Sequence, residues 1–220
     1  MSGLKESMEA LLELRDEAER AFSDPLGESG VYEYILKEKS LNSEKTVRER
    51  DALSPQNCHA CPLWESRHAD IFYFNPTHAE VLSVIAFPEM SGSLLAPDAE
   101  EMYEKQMAAI SLSRSKRALV SLLKCPSSSL SAEYADRCRN FLKDDMSRFS
   151  PSLMILFGMD LAHYILRTDK PYEEIRAAKK SYKVNGIRTY VTYSQRECID
   201  NPSFKRAVWE DLKAIGRAIG

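Results

Sequence analysis

The sequence predicts an α/β protein, a three-layer α/β/α sandwich around a central four-stranded parallel sheet, with a helical N-terminal extension. Three observations lead there. Short apolar runs alternate with amphipathic stretches of helical period along most of the chain. The runs are continuously apolar, as in strands buried on both faces. The length, 220 residues at 44% hydrophobic content, suffices for one sizeable α/β domain with an appendage.

In chain order, Leu4, Met8, Leu11, Leu12 and Ala18 recur at helical spacing and stop near Ser23-Asp24-Pro25. Val31 to Leu36 reads as a second short helix. Lys37 to Gln56 is polar and charged and reads as a linker, so residues 1–56 form an acidic extension and 57–220 the α/β domain.

Val81 to Phe87 is a buried strand stopped by Pro88. Asp98 to Ile110 is helical, with Met102, Met107 and Ile110 as its stripe. Ala118 to Leu123 is the second strand, ending at Lys124-Cys125-Pro126. Ser131 can cap a helix to about Phe149 whose apolar face is Tyr134, Cys138, Phe141, Leu142 and Met146. Leu153 to Phe157 is the third strand, broken by Gly158, and a helix through Leu161, Ala162 and Ile165 follows. Ile187 to Tyr193 is the fourth. Asp200-Asn201-Pro202 opens a last helix to Ile219 with Phe204, Val208, Leu212 and Ile215 inward. In such sheets ligands bind at the carboxyl ends of the strands. Here those ends are Phe87-Pro88-Glu89, Lys124-Cys125-Pro126, Gly158-Met159 and Tyr193-Ser194-Gln195. No G-x-G-x-x-G follows the first strand and no P-loop lysine motif is present, which leaves dinucleotide and nucleotide-triphosphate binding without support.

No apolar run approaches a membrane span, and residues 1–20 have no signal-peptide core. A cytoplasmic protein is expected, with no membrane partner. Its cysteines then point to metal ligation more than to disulfides. Net charge is −3 and uneven: residues 1–57 carry 8 basic and 13 acidic side chains, residues 58–220 carry 22 and 20. The acidic extension masks a mildly basic body.

Cys58 and Cys61 form a C-x-x-C turn closed by Pro62, and Cys125 and Cys138 stand alone downstream. A close pair plus two distant thiols can clamp one metal centre from several elements. Four thiolates suit a structural Zn²⁺ or an iron–sulfur cluster. The plain alternatives are a redox or chance C-x-x-C pair and two core thiols.

Several segments together resemble the family 4, iron–sulfur uracil-DNA glycosylases. They are Cys58-x-x-Cys61-Pro62-Leu63, Lys124-Cys125 at the second strand's end, and Cys138-Arg139-Asn140-Phe141-Leu142. Pro151 to Gly158 is similar to that family's P-x-x-I-x-x-L-G strand. Lys205 to Leu212 is similar to its K-x-x-x-W-x-D-L helix. The resemblance runs from about Asn57 to the end. It implies a [4Fe-4S] cluster on Cys58, Cys61, Cys125 and Cys138; Cys198 has no counterpart.

The catalytic motifs depart from the family. Where it has G-E-A-P-G, this chain has Ile85-Ala86-Phe87-Pro88-Glu89, so Ala86 replaces the glutamate and only Pro88 remains. Ser121 stands for the asparagine that reads the uracil edge, and Ser194 for the histidine that stabilises the leaving base. Removing one oxyanion donor alone typically costs about 10²–10³ in rate. The resemblance therefore implies a glycosylase-like [4Fe-4S] protein that lacks normal uracil excision and acts as a DNA-binding or protein-interaction module. The alternative is an active DNA glycosylase with a rearranged site, in which Glu89 is the natural carboxylate. Candidate phosphate contacts for weak, salt-sensitive DNA binding are Lys124, Arg114, Arg117, Lys180 and Arg196, with Lys116, Lys179, Lys183 and Arg188 beside them. The helix Leu4–Ala21 is the candidate dock for a protein partner.

Overall fold

The computed structural model describes residues 31–34, 55–67, 73–74 and 78–219. The expected helix Leu4–Ala21 and nearly all of the expected linker lie outside them. The four strands read from the sequence are all present: β3 (Val81–Ile85), β4 (Arg117–Ser121), β5 (Leu153–Phe157) and β7 (Ile187–Thr192). They form one contiguous parallel block in the order β7-β5-β3-β4. Every residue of β3, β4 and β5 is buried, which is why these runs carry no polar alternation.

Three more strands extend the sheet to seven among the described residues: β1 (Val31–Tyr34), β2 (Tyr73–Phe74) and β6 (Ser181–Val184), in the order β1-β6-β7-β5-β3-β4-β2. β2 runs antiparallel to β4, and β6 antiparallel to β7. Val31 to Tyr34, expected as helix, is instead a strand paired parallel with β6. Its Val-Tyr-Glu-Tyr alternation has the period of a strand, and β-branched and aromatic residues favour one. β1 thus joins the same sheet as the strands that follow residue 57. β6 and β7 meet at Asn185-Gly186, with φ of 50° and 79°. Asn-Gly is the pair a tight two-residue hairpin turn demands, because both central residues need positive φ.

Helices cover both faces. α1 (Pro97–Ala109) crosses from β3 to β4. α2 (Ala132–Phe149) returns from β4 to β5, and α3 (Met159–Leu166) continues from β5 towards β7. Right-handed crossovers in opposite directions place α1 on one face and α2 with α3 on the other. α1 is pinned by Tyr103, whose hydroxyl meets Ser83 Oγ at 3.0 Å and whose ring meets Phe157 edge-on at 5.8 Å. Its buried side is Ala99, Tyr103, Gln106 and Met107, with Met102 and Ile110 packed at the margin. Tyr164 of α3 donates to Asp136 of α2 at 2.9 Å.

A single turn α4 (Tyr172–Ile175), a short α5 (Gln195–Asp200) and the long α6 (Phe204–Ile219) complete the chain. α6 buries Val208, Asp211, Leu212 and Ile215 on the α1 face, where Thr192 of β7 donates to Asp211 at 3.0 Å. Strand order reverses between β3 and β5, so their carboxyl ends border the crevice where sheets of this kind take ligands. No helix among the described residues is long and apolar enough to cross a membrane.

Candidate metal centre

Three segments carry the four thiols. Cys58 and Cys61 lie in the loop between two 3₁₀ turns, Pro55–Asn57 and Pro62–Ser66. Cys125 follows β4, and Cys138 is on the buried side of α2. Hydrogen bonds tie the C-x-x-C turn to each of the other two segments. Arg137, just before Cys138, donates to the carbonyl of Ala60 inside the C-x-x-C turn. Ser66 makes a long contact of 3.5 Å with the carbonyl of Pro126, just after Cys125. The backbone N–H of Lys124 lies near enough to Cys138 to favour its thiolate. Arg67 fastens the turn itself, with Nη1 2.7 Å from the carbonyls of both Pro55 and Cys58.

Cys61, Cys125 and Cys138 are buried and Cys58 is half-buried; none of the four is in a disulfide. Burial pushes the Cys125 thiol up to about 11, against the pull of Arg67, and the charges of Cys138, Cys61 and Cys58 raise it further. Burial likewise raises Cys138, with the Lys124 N–H opposing and Cys61 and Cys58 adding. The four sulfurs are thus near enough to feel one another's charge. Among the described residues, no three His, Cys, Asp or Glu side chains stand close enough together to hold a single metal ion. The donor chemistry, four soft thiols on three segments, fits a thiolate-bound centre. Such a centre binds the thiolate form, so loading it would release protons from Cys125 and Cys138.

The positions that match the glycosylase pocket are brought to the strand ends, in roles of their own. Ala86 is half-buried against the core and Pro88 is buried. Glu89 opens a tight turn, its N–H on the carbonyl of Ser93 at 2.9 Å and its carbonyl receiving Gly92 N–H at 3.2 Å. Ser121 is wholly buried beside Ile85, and its Oγ has no partner among the described residues.

Ser194 is the N-cap of α5. Its Oγ accepts from Glu197 N–H at 3.2 Å, and its own N–H donates to the Glu197 carboxylate at 2.6 Å. This is a capping box, which satisfies the free N–H groups of the first turn. The same carboxylate accepts from Met159 N–H at 3.3 Å, at the start of α3. Sequence reasoning missed α5 and Glu197, although Ser194-x-x-Glu197 is a helix-start signature.

The candidate phosphate contacts are mostly engaged elsewhere. Lys124 is buried, contrary to its expected role, and its Nζ lies 2.7 Å from the carbonyl of Ser121 and 2.6 Å from Asp145 Oδ2. Arg117 is buried too, 2.7 Å from Glu104 and over the Tyr103 ring. Neither can reach a phosphate. Arg114 pairs with Glu104 at 3.2 Å, Arg196 with Asp200 at 3.2 Å, and half-buried Lys180 also has an interaction partner. No protein-family model matches the chain, and no characterised protein matches it significantly.

Proposed function

We propose that the chain is a uracil-DNA glycosylase-like protein that carries a [4Fe-4S] cluster, does not excise uracil, and serves in the cytoplasm as a binding module. The supporting observation is the contrast between its two candidate sites. The thiol segments are tied together by Arg137, by Ser66 and by the Lys124–Asp145 pair, whereas the pocket positions hold the fold. Cys58, Cys61, Cys125 and Cys138 would hold the cluster, and bound there it would cross-link the turn, the post-β4 loop and α2. At the strand ends, Ser194 closes a helix cap and Ala86 packs on the core, so neither offers a group to stabilise a leaving base. A protein partner is favoured over DNA, because Arg114, Arg117, Lys124 and Arg196 already face carboxylates.

Strand-cleavage assays on uracil-containing DNA test the loss of excision, and no turnover is expected. Robust turnover that disappears in Glu89→Gln would install the rearranged-site glycosylase in its place.

A further inference from the structure

A groove of about 730 Å³ lies where the end of α1 meets α6 and the segment before β6. Its lining mixes apolar side chains, Ile110 and Leu212 among them, with the cations of Lys179, Lys213 and Arg217. Gly216 packs against Ile110: a Cβ there would stand 3.3 Å from Ile110 Cγ2, so the isoleucine would have to give by a few tenths of an ångström. The single carboxylate in the lining, Glu210, is engaged with Arg176 through Nη1 and Nη2, each at 3.3 Å. Lys213 rests over the exposed Trp209 ring at 5.2 Å, which holds its ammonium at the groove. Most basic residues named for DNA contact face carboxylates; Lys179, Lys213 and Arg217 pair with no carboxylate among the described residues.

We propose that this groove docks a short acidic amphipathic helix of a partner protein. The volume falls in the range of ordinary ligand sites. A lining that sets Ile110 and Leu212 among three cations complements a helix with aliphatic residues on one face and carboxylates beside them. Nucleic acid fits less well, because the lining has no aromatic face on which a base could stack. The proposal rests on the binding-module reading and names its partner class. It does not depend on the cluster, since Cys138 belongs to α2, on the opposite face of the sheet from α1 and α6.

The test is calorimetric titration of the full-length protein with a synthetic helix bearing leucines on one face and glutamates on the other. A version with lysines replacing the glutamates, and a single-stranded oligonucleotide, serve as comparisons. The expected result is saturable binding of the glutamate helix alone, weakening as salt rises. The combined variant Lys179→Glu, Lys213→Glu, Arg217→Glu should lose roughly tenfold or more in affinity. Ala109→Trp, which obstructs the groove without changing charge, should lose a similar factor. Both variants alter exposed positions and should keep the melting temperature and iron content of the parent, which separates failure of the groove from failure of the cluster. No saturable binding of the glutamate helix, or undiminished binding in both variants, overturns the proposal. Tighter binding of the oligonucleotide through the same cations overturns it in favour of a phosphate site.

Discussion

Lys124 Nζ lies 2.6 Å from Asp145 Oδ2, and both side chains are buried between β4 and α2. The lysine stands directly before Cys125, and its backbone N–H favours the thiolate of Cys138. A residue that reads in sequence as a surface cation therefore braces the two elements that present half of the thiols. Removing one partner of a buried ion pair typically costs about 3–5 kcal/mol, because the other charge is left buried alone. Lys124→Met is expected to lose that much in denaturant unfolding, and Lys124→Met with Asp145→Leu to recover most of it. A single variant within about 0.5 kcal/mol of the parent, as surface substitutions usually are, would contradict the brace.

Ser194, expected from the resemblance to stand where the glycosylases have a histidine, has the partners of a helix cap. Ser194→Ala should cost about 1 kcal/mol of stability, the usual value for losing an N-cap hydroxyl. Glu197→Ala should cost at least as much, since its carboxylate also meets Met159 N–H. Urea unfolding of the two variants measures this, and unchanged midpoints would remove the capping role.

Glu104 links α1 to the start of β4 through Arg114 and Arg117. Partial burial alone would raise its carboxyl, but the hydrogen bonds and charges of the two arginines outweigh it and hold the group below its ordinary value of 4.5. A carboxyl lowered by folding binds fewer protons folded than unfolded, so the stability it contributes is present above pH 4.5 and is lost as pH falls below it. Glu104→Gln should therefore destabilise the protein near neutrality by about 2 kcal/mol, the scale of a hydrogen bond to a charged group. The gap to the parent should shrink as the melting temperature is followed down to about pH 3.5, below the ordinary carboxylate range. A gap that stays constant with pH would show that Glu104 acts by shape alone.

The parallel core was legible because strands buried on both faces leave continuous apolar runs, as Val81–Ile85 and Leu153–Phe157 do. The sheet's outer strands were less so. Ser181–Val184 is half exposed and short, and its signal was the Asn185-Gly186 turn rather than its hydropathy. Val31–Tyr34 carries a strand-like alternation over only four residues, too short to stand against a helical reading, and it is paired with β6 some 150 residues away. Among the site residues, the thiols stand out by residue type, but the burial of Lys124 and Arg117 comes from carboxylates on other elements. Asp145 lies 21 positions from Lys124, and Glu104 lies 13 from Arg117. The loss of the histidine at Ser194 was legible in the sequence, and Glu197 three residues on is the signal for the cap that the serine forms instead.

The central claim is that Cys58, Cys61, Cys125 and Cys138 hold one iron–sulfur cluster. Metal and acid-labile sulfide analysis of anaerobically prepared full-length protein tests it most directly. About four irons and four sulfides per chain are predicted, with a brown colour lost in Cys125→Ser and Cys138→Ser. Stoichiometric zinc without iron, or a chain that folds with no metal and is indifferent to both substitutions, would contradict it.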